Sequence, residues 1–383
     1  MPAKVIHLVT RLDLGGAQQN TLHTVRTLDR TKFEAVLLCG TGGILDAEVK
    51  SDSGVRSIFL ESLHRDISPF YDLLALLEIT KVLLAEKPAI LHTHSSKAGI
   101  LGRLAAVLAG VPVVIHTYHG FGFHDRQPAF VKNIYVYLER LCALFTSALV
   151  FVSKANIAYA AEHHLVNPNE AVLIRSGVKL AGLPAKTDAA KLKMSAGIGM
   201  HKLLVVSVGN LKPQKNVSDL IEAAALLLPA LPDVRFVFIG DGPQRSKLEA
   251  RAFTLGLQDR FFFLGWRRDA AEWLAAADVF AMTSLWEGLP RSLVEAMKSG
   301  LPSVCYATDG VTDLLIDGQN GFAVAPGDIK DMARRLLQLL SDEPLRKRLG
   351  AAAADAIGPE FDIDGMVRSQ EALYERLAHE HGV

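Results

Sequence analysis

The sequence has little of what marks several large classes of protein. Its 383 residues contain only three cysteines, Cys39, Cys142 and Cys305, which lie too far apart to match the ligand spacing of a metal site. We expect unpaired, buried thiols in a reducing cytoplasm rather than a disulfide framework. Lysine plus arginine and aspartate plus glutamate both number 41, so there is no net basic charge to attract nucleic acid, which we exclude as a partner.

Long apolar runs and acid pairs with metal-binding spacing are also missing. No segment reaches the roughly 18 uninterrupted apolar residues of a transmembrane helix. The apolar run after Met1 is too short for a signal peptide, so we expect a cytoplasmic protein that is at most peripheral to a membrane. No Asp-x-Asp pair stands at the end of an expected strand, and we expect no metal site.

The chain does have a regular alternation of short β-branched runs and amphipathic helical runs. Repeated βα units of this kind predict parallel sheets with right-handed crossovers. Half of the 383 residues are hydrophobic, and a chain of this length is too long to fold around one ordinary hydrophobic core. Glycines and prolines interrupt residues 176–202, which we interpret as a linker. We therefore predict an α/β protein with two Rossmann-like, doubly wound domains, residues 1–180 and 181–360, and a final helix in residues 361–383.

Residues 283–297 read T-S-L-W-E-G-L-P-R-S-L-V-E-A-M and predict a strand end, a loop and a helix start. Corners of this kind, at the carboxyl ends of strands, are where α/β sheets bind ligands. Glu287 falls in the loop and Glu295 on the second helical turn, so both are expected to face one crevice at an anion-favouring helix N-terminus. The pair suits a polyhydroxylated ligand that carries phosphate, although solvated charges at a helix start explain the spacing equally well.

The pattern E-G-x-P-x-x-x-x-E-A-M-x-x-G-x-P over residues 287–302 resembles the signature of the retaining glycosyltransferases of family 4, and the similarity covers most of the chain. The resemblance implies the GT-B fold, in which two Rossmann-like domains face each other across a cleft and the final helix crosses back to the first. It implies that the first domain takes the acceptor and the second a nucleoside-diphosphate sugar, with no cofactor. Glu287, beside Gly288 and Leu289, would bind the donor sugar, and Glu295 the ribose.

A loop early in the second domain reads G-N-L-K-P-Q-K-N over residues 209–216. Family members usually carry G-R-L-x-x-x-K, which matches Lys215 here but places Asn210 where the arginine stands. We expect Lys215, with Lys212 compensating for that arginine, to neutralise the departing diphosphate without a metal ion. Two exposed loop lysines are the alternative.

Three further segments of the second domain match nucleotide contacts of the family. Gly240 ends a strand in G-D-G-P, where glycine permits close backbone approach, although an ordinary strand-to-helix turn would use it too. Leu264 and Trp266 flank Gly265 where the family cradles the base, and Trp266 is equally well explained as a plain packing aromatic. Gly310 opens a phosphate-facing helix start that lacks the usual paired glycines.

The first domain is expected to supply the remaining groups. Gly15 and Gly16 follow the first strand and resemble the family's glycine loop, although any tight turn would use such a pair. His119 matches the family's active-site histidine, which organises the donor sugar and the reacting groups; a purely structural histidine is the alternative. His92 and His94 alternate along a strand, and we expect them to point to opposite sides, where they cannot chelate one metal ion. His94 is a candidate neighbour of the acceptor.

Two apolar segments are candidates for lining an acceptor groove or for peripheral contact with the inner membrane. They are residues 120–126 with the helix that follows, and residues 70–74 near Arg65. Amphipathic helices that face the core are the alternative.

Together these features predict a metal-independent hexosyltransferase that moves a sugar, with retention, from a nucleoside-diphosphate sugar to an acceptor hydroxyl. We prefer UDP as the nucleotide and a glycan or glycolipid acceptor in surface polysaccharide or lipopolysaccharide biosynthesis, on the cytoplasmic face of the membrane. Two alternatives remain at this point: a nucleotide-sugar epimerase of the same architecture, and a non-catalytic subunit that binds the nucleotide sugar.

Overall fold

The computed structural model describes residues 2–124, 127–184, 188–199 and 202–383. The predicted linker at 176–202 and the candidate segment at 120–126 therefore lie partly outside the described residues. The chain divides into two compact units. Unit 1 comprises Met1–Gly177 and Asp362–Val383, and unit 2 comprises Val178–Phe361.

Strands and helices alternate through both units. Within the described residues the strands are β1 (Ala3–Arg11), β2 (Phe33–Gly40), β3 (Arg56–Leu60), β4 (Ile90–His94), β5 (Val113–Tyr118), β6 (Ala148–Phe151), β7 (Val172–Leu173), β8 (Leu203–Val208), β9 (Val234–Ile239), β10 (Phe261–Phe263), β11 (Val279–Met282), β12 (Ser303–Tyr306) and β13 (Gly321–Val324). Over the same residues the α-helices are α1 (Gly16–Thr27), α2 (Asp46–Ser51), α3 (Pro69–Glu86), α4 (Ser96–Ala109), α5 (Ala129–Ala143), α6 (Lys154–Glu162), α7 (Ala189–Ser195), α8 (Val217–Leu227), α9 (Arg245–Thr254), α10 (Ala270–Ala276), α11 (Arg291–Lys298), α12 (Ile329–Ser341), α13 (Glu343–Asp355) and α14 (Ile363–His381). Short 3₁₀ turns occupy Pro213–Lys215, Asp309–Val311 and Pro359–Phe361.

Unit 1 is built on a seven-stranded sheet in the order β3-β2-β1-β4-β5-β6-β7. The strands pair in parallel, for example β1 with both β2 and β4. The chain order reverses direction between β1 and β4, so this is the switch point at which doubly wound sheets bind ligands. The loops after β1 and β4 open at that edge.

Unit 2 repeats the arrangement with a six-stranded parallel sheet in the order β10-β9-β8-β11-β12-β13. Its switch point lies between β8 and β11. The prediction of two doubly wound parallel sheets is therefore confirmed, and the loops after β8 and β11 carry the predicted lysines and Glu287.

Alternation along the strands of unit 1 decides which helices each side chain meets. Val5 and Ile90 belong to a core cluster that includes Tyr374 of α14, whereas Ile6 and Leu91 belong to a cluster under α3 and α4. Both sheet faces are covered, which is why the strands read as nearly continuous apolar runs. Alternate residues of a strand lie on the same sheet face, so His7 lies on the face of Val5, and His92 and His94 lie on the face of Ile90. All three side chains therefore face α14.

The sequence missed one helix and overextended other elements. Helix α2 is only six residues long, so its pattern is too short for a periodicity signal. Strand β7 is only two residues long, and the helix start expected at Gly310 is the 3₁₀ turn Asp309–Val311. Among the helices of the described residues, none has the length and hydropathy of a membrane span.

Candidate active site

The loop after β8 brings Lys215 to the carboxyl edge of the unit 2 sheet. Hydrogen bonds from the Gly209 amide to the Ile239 carbonyl (3.0 Å) and from the Leu211 amide to the Asp241 carbonyl (3.0 Å) tie this loop to the end of β9. The chain then makes the 3₁₀ turn that ends at Lys215, and Asn216 takes a left-handed conformation (φ 44°) before α8 begins. Lys215 therefore projects from a loop that is fixed at both ends.

The corner after β11 meets this loop directly. The ammonium group of Lys215 forms an ion pair with Oε1 of Glu287, and these side chains are 17% and 8% exposed. The Gln214 amide side chain donates to the Trp286 carbonyl (2.8 Å), and the Leu285 backbone amide donates to the Gln214 carbonyl (2.8 Å). Two of the predicted site residues, which lie on different loops, are thus in contact.

A third loop, after β12, holds Glu287 from the other side. Oδ2 of Asp309 accepts a hydrogen bond of 2.7 Å from the Glu287 backbone amide, and Asp309 has a left-handed backbone (φ 34°). A Cβ atom on Gly310 would overlap the carbonyl oxygen of Gly288, so glycine is required there for a steric reason. The sequence analysis selected Gly310 and missed Asp309, although an acid directly after a strand at this edge was a usable signal.

Glu295 lies on the second turn of α11, half-buried beside Arg291. Burial raises the pKa of the Glu295 carboxyl, and the positive charge of Arg291 opposes that rise. Burial also lowers the pKa of the Arg291 guanidinium. The assignment of Glu295 to the ribose stays a prediction.

The other predicted nucleotide contacts follow β9 and β10. Gly240 has φ +133°, donates its amide to the Gly265 carbonyl (2.8 Å), and leaves no room for a Cβ atom against the Gly209 carbonyl. Gly240 therefore packs against the loop of residues 209–216, which carries Lys212 and Lys215 and is called the lysine loop below. The amide of Leu264 donates to the Phe238 carbonyl (3.0 Å), and Trp266 is 45% exposed.

Asn210 and Lys212 lie in the first half of the lysine loop. The backbone amide of Lys212 donates to the Asn210 carbonyl (2.8 Å), and that of Lys215 donates to the Lys212 carbonyl (3.0 Å). Lys212 thus belongs to the same turn as Lys215. Its role as the substitute for the family arginine stays a prediction.

In unit 1, Gly15 is the N-cap residue of α1 and Gly16 is the first residue of the helix. The loop between β1 and α1 therefore ends in two residues without side chains at the switch point. The Gln18 side chain occupies the space that a Cβ atom on Gly15 would need. Contact of this pair with the donor stays a prediction.

His119 follows β5 at the same edge of the unit 1 sheet. Its Nε2 lies 3.1 Å from Nδ1 of His94, which is buried at the end of β4. The expectation that His92 and His94 point to opposite sides is wrong: their rings are tilted against each other with centroids 4.3 Å apart. Residues two apart on a strand share a face, so the period of two should have predicted this contact.

One group of side chains within the described residues has the spacing to share a metal ion. It consists of His7, His92 and His94, whose ligand atoms all lie within 4.8 Å of one another. Sequence reasoning missed His7 because it stands on β1, far from the other two in the chain. The parallel register of β1 and β4 pairs His7 directly with His92.

Known protein families match both halves of the chain. The model described as "Glycosyl transferase 4-like domain" matches residues 15–177, and "Glycosyl transferases group 1" matches residues 188–356. The chain is 35% identical over 346 residues to the UDP-Gal:alpha-D-GlcNAc-diphosphoundecaprenol alpha-1,3-galactosyltransferase of Escherichia coli, with 89% of each chain covered. The chain belongs to the group 1 glycosyltransferases.

Two further similarities extend over nearly the whole length of this glycosyltransferase. The lipopolysaccharide core biosynthesis glycosyltransferase LpsE of Rhizobium meliloti is 25% identical over 363 residues, covering 95% of this chain and 96% of LpsE. The crystal structure of Anabaena Alr3699/HepE in complex with UDP and glucose superposes with a TM-score of 0.84 at 21% identity, covering 98% of this chain and 100% of that chain. The family resemblance, the GT-B fold and the transferase activity are confirmed, and the epimerase and binding-subunit alternatives are set aside.

The histidines of unit 1 give this glycosyltransferase a neutral polar cluster. Burial lowers the pKa of His7 to about 3 and lowers the pKa values of His92, His94 and His116 well below their ordinary range. Each imidazole therefore carries a single ring proton at neutral pH, and its other nitrogen is a hydrogen-bond acceptor.

The loops after β8, β11 and β12 of unit 2 carry charged groups instead. A carboxylate and an ammonium group lie in contact where three strand ends meet, and Asp309 fixes the backbone that carries the carboxylate. Carboxylates accept hydrogen bonds from sugar hydroxyls, and ammonium groups stabilise phosphoryl oxygens. One small region of unit 2 thus contains both kinds of group that a sugar diphosphate needs.

Proposed function

We propose that this glycosyltransferase moves a hexose from a UDP-sugar to a hydroxyl group of a glycan or glycolipid, with retention and without a metal ion. The observation that carries the proposal is the contact between Lys215 and Glu287 at the switch point of unit 2. Similar proteins support UDP as the nucleotide, since the E. coli transferase is named for UDP-Gal and the Anabaena protein was crystallised with UDP and glucose. Names of relatives also support surface glycan assembly, as in lipopolysaccharide core biosynthesis.

In the proposed reaction Glu287 accepts hydrogen bonds from the hexose, with Gly288 and Leu289 supplying the backbone beside it. Lys215 and Lys212 offset the charge that grows on the diphosphate as it departs, which is the contribution that a metal ion makes in other transferases. The acceptor oxygen bonds to the anomeric carbon on the face from which the diphosphate leaves. The acceptor proton passes to a departing phosphoryl oxygen, so the configuration is retained.

The remaining predicted residues have supporting roles in this proposal. Glu295 binds the ribose, and the backbones at Gly240, Leu264 and Trp266 hold the nucleotide. In unit 1, His119 aligns the acceptor hydroxyl. Amides after Gly310 and at the pair Gly15–Gly16 donate to phosphoryl oxygens, since backbone amides at helix starts favour anions.

Thermal unfolding in EDTA with UDP-, GDP- and ADP-hexoses tests the nucleotide and the absence of metal. We expect UDP-hexose to raise the midpoint most, because a ligand at about 100 times its Kd stabilises the folded state by about 2.7 kcal/mol. Lys215→Met should abolish that rise. Lys347→Met, which removes a lysine from an exposed pair with Glu343, is the matched control and should keep it.

Transfer itself is tested by UDP release with membrane lipid extract as the acceptor source. Release that depends on the extract supports the proposal. An isomerised sugar formed from the donor alone would contradict it, and so would tight UDP-hexose binding with no release under any acceptor.

Peripheral contact with the cytoplasmic face of the membrane belongs to the same proposal. Helices α3 and α5 both pack beside α4 and both expose apolar side chains to solvent. On α3, Phe70 is 67% and Leu77 is 56% exposed; on α5, Phe130 is 76% and Tyr137 is 67% exposed. Soluble proteins rarely expose so many large apolar side chains on neighbouring helices, and such surfaces mark protein or membrane contacts.

Sedimentation with phosphatidylglycerol vesicles tests this contact. We expect wild-type protein to pellet with the vesicles and the double variant Phe130→Ser, Tyr137→Ser to stay in solution. Phe253→Ser, at an exposed phenylalanine of unit 2, should pellet like the wild type. If wild-type protein stays in solution with and without acceptor lipid, the membrane contact is wrong while the transfer reaction is untouched.

A further inference from the structure

A continuous chain of hydrogen-bonded side chains runs through the interior of unit 1 and ends at His119. Nε2 of His119 lies 3.1 Å from Nδ1 of His94, and Nε2 of His94 lies 3.1 Å from Nδ1 of His7. Nε2 of His7 lies 3.4 Å from the Tyr374 hydroxyl, the longest link in the chain. All three residues beyond His119 are buried.

The chain continues beyond the tyrosine to a second strand end. The Tyr374 hydroxyl lies 2.5 Å from Nδ1 of His92, and Nε2 of His92 lies 2.7 Å from Oγ1 of Thr117. These side chains meet because His7, His92 and His94 lie on the same face of the sheet, and α14, which supplies Tyr374, covers that face. Residues up to 367 positions apart are joined in this way.

The chemistry of neutral imidazole limits how the protons in this chain can be arranged. Each ring has one N–H donor and one lone pair, and a hydroxyl both donates and accepts. Within the chain, His94, His7 and His92 each use both ring nitrogens. The Tyr374 hydroxyl also donates to Oε1 of Gln370 (3.4 Å), so it accepts hydrogen bonds from both His7 and His92. One arrangement therefore satisfies every link, in which the N–H groups of His119, His94 and His7 all point toward Tyr374. Reversing one ring alone would place two donors or two lone pairs against each other, which costs the energy of a buried unmet hydrogen bond.

We propose that this chain fixes His119 in one neutral tautomer and orientation, and that His94, His7 and Tyr374 are positioning residues for the transfer reaction. The proposal rests on the assigned role of His119 at the acceptor hydroxyl. A histidine whose donor and acceptor nitrogens are fixed presents the same group to the acceptor in every turnover, which lowers the reorganisation needed in the transition state. Tyr374 of helix α14 thereby influences the reaction through His119, which lies in the loop after β5.

A shared metal ion is the competing explanation for His7, His92 and His94. A metal ion needs the lone pair of each imidazole, and in this arrangement those lone pairs already accept hydrogen bonds. Both nitrogens of His92 are paired, with Tyr374 and with Thr117, so an ion bound to His92 would break one of these two links. The observed contacts therefore favour the hydrogen-bond chain.

Long-range nitrogen–proton NMR correlations of the full-length protein, with isotope-labelled histidine, test the proposal without measuring activity. In the wild type we expect His7, His92, His94 and His119 each to show one protonated and one unprotonated nitrogen. Tyr374→Phe removes only the hydroxyl, so His7, His94 and His119 should shift to mixed-tautomer signals. Thr117→Val is isosteric at the far end of the chain and should mix the tautomers of His92, which keeps the test decisive if the tyrosine variant does not fold.

Kinetics provide the second readout. Tyr374→Phe should lower kcat roughly tenfold with the donor KM unchanged, because Tyr374 lies outside every loop that is proposed to bind the donor. Tyr306→Phe is the matched control, since it removes a buried phenol hydroxyl that donates to Oδ2 of Asp219 (2.8 Å) and lies outside the chain. That variant should retain the wild-type kcat and the wild-type histidine signals.

The outcomes separate this inference from the proposed function. If the wild type transfers no sugar but Tyr374→Phe still mixes the tautomers, the proposed function fails and the chain stands. If the wild type is active and Tyr374→Phe changes neither kcat nor the histidine signals, the inference is overturned. About one equivalent of tightly bound zinc in the purified wild type, lost in His7→Gln, would also overturn it in favour of a metal site.

Discussion

At the scale of single residues, the Lys215–Glu287 ion pair does two things at once. Both side chains are mostly buried, so each charge is compensated chiefly by the other. Removing one partner of such a pair leaves an uncompensated buried charge, which typically costs about 3–5 kcal/mol. The pair therefore holds two loops together before any donor arrives, and the same groups are those proposed to bind it.

Glu287→Gln separates charge from size at this position. We expect transfer to fall by about two to three orders of magnitude, since an amide cannot balance Lys215 and binds the sugar hydroxyls less strongly. The thermal midpoint should fall as well. Turnover and thermal unfolding are the measurements, and Glu343→Gln, which alters the exposed pair with Lys347, should change neither. Normal turnover in Glu287→Gln would rule out its role in the site.

At the scale of elements, three loops after β8, β11 and β12 are locked together at one end of the unit 2 sheet. Asp309 is central to this contact because its side chain accepts from the Glu287 amide while its own backbone is left-handed. Aspartate and asparagine adopt that conformation more readily than most residues, because their short polar side chains bond locally. Residue type at 309 is thus constrained by backbone geometry and by the need for an acceptor.

Substitutions at Asp309 should rank by these two requirements. Asp309→Asn keeps an acceptor oxygen and tolerates the backbone, so the donor KM should stay within about threefold of the wild-type value. Asp309→Ala loses the hydrogen bond and tolerates the left-handed backbone poorly, which together cost about 2–4 kcal/mol of stability. The donor KM should therefore rise and the thermal midpoint should fall. Steady-state kinetics against donor concentration provide the check, with the exposed Asp355→Ala as control. Equal effects of Asn and Ala would mean that the carboxylate does not hold the loop.

At the scale of the whole molecule, the four buried histidines of unit 1 tie stability to pH. Burial lowers the folded-state pKa values of His7, His92, His94 and His116, whereas in the unfolded chain each titrates near its ordinary value of about 6.5. As the pH falls through about 6.5, the unfolded state takes up protons that the folded state does not bind. Stability is therefore fully present above this pH and is lost as the pH falls toward the folded-state values.

Denaturant unfolding across this range should show that slope directly. Each of these histidines contributes up to about 1.4 kcal/mol of lost unfolding free energy per pH unit below about pH 6.5. His7→Gln keeps a donor and an acceptor but does not titrate, so its slope should be shallower by about one proton. His381→Gln, at an exposed position near the end of α14, should leave the slope unchanged. A wild-type stability that is flat between about pH 6.5 and pH 4 would contradict the neutral, buried state of the cluster.

The sequence by itself determined the features that depend on neighbours in the chain. Alternating strand and helix patterns predicted the two parallel sheets. The segment around Glu287 and Pro290 predicted a strand-loop-helix corner, and its resemblance to a known signature indicated the family. Only the tertiary structure decided which side chains meet. Lys215 and Glu287 are 72 positions apart, and the tyrosine that joins His7 to His92 is 282 positions from the latter. Periodicity reports the face on which a side chain lies, whereas contact between distant residues is decided by strand order, register and the packing of α14, which no local pattern encodes.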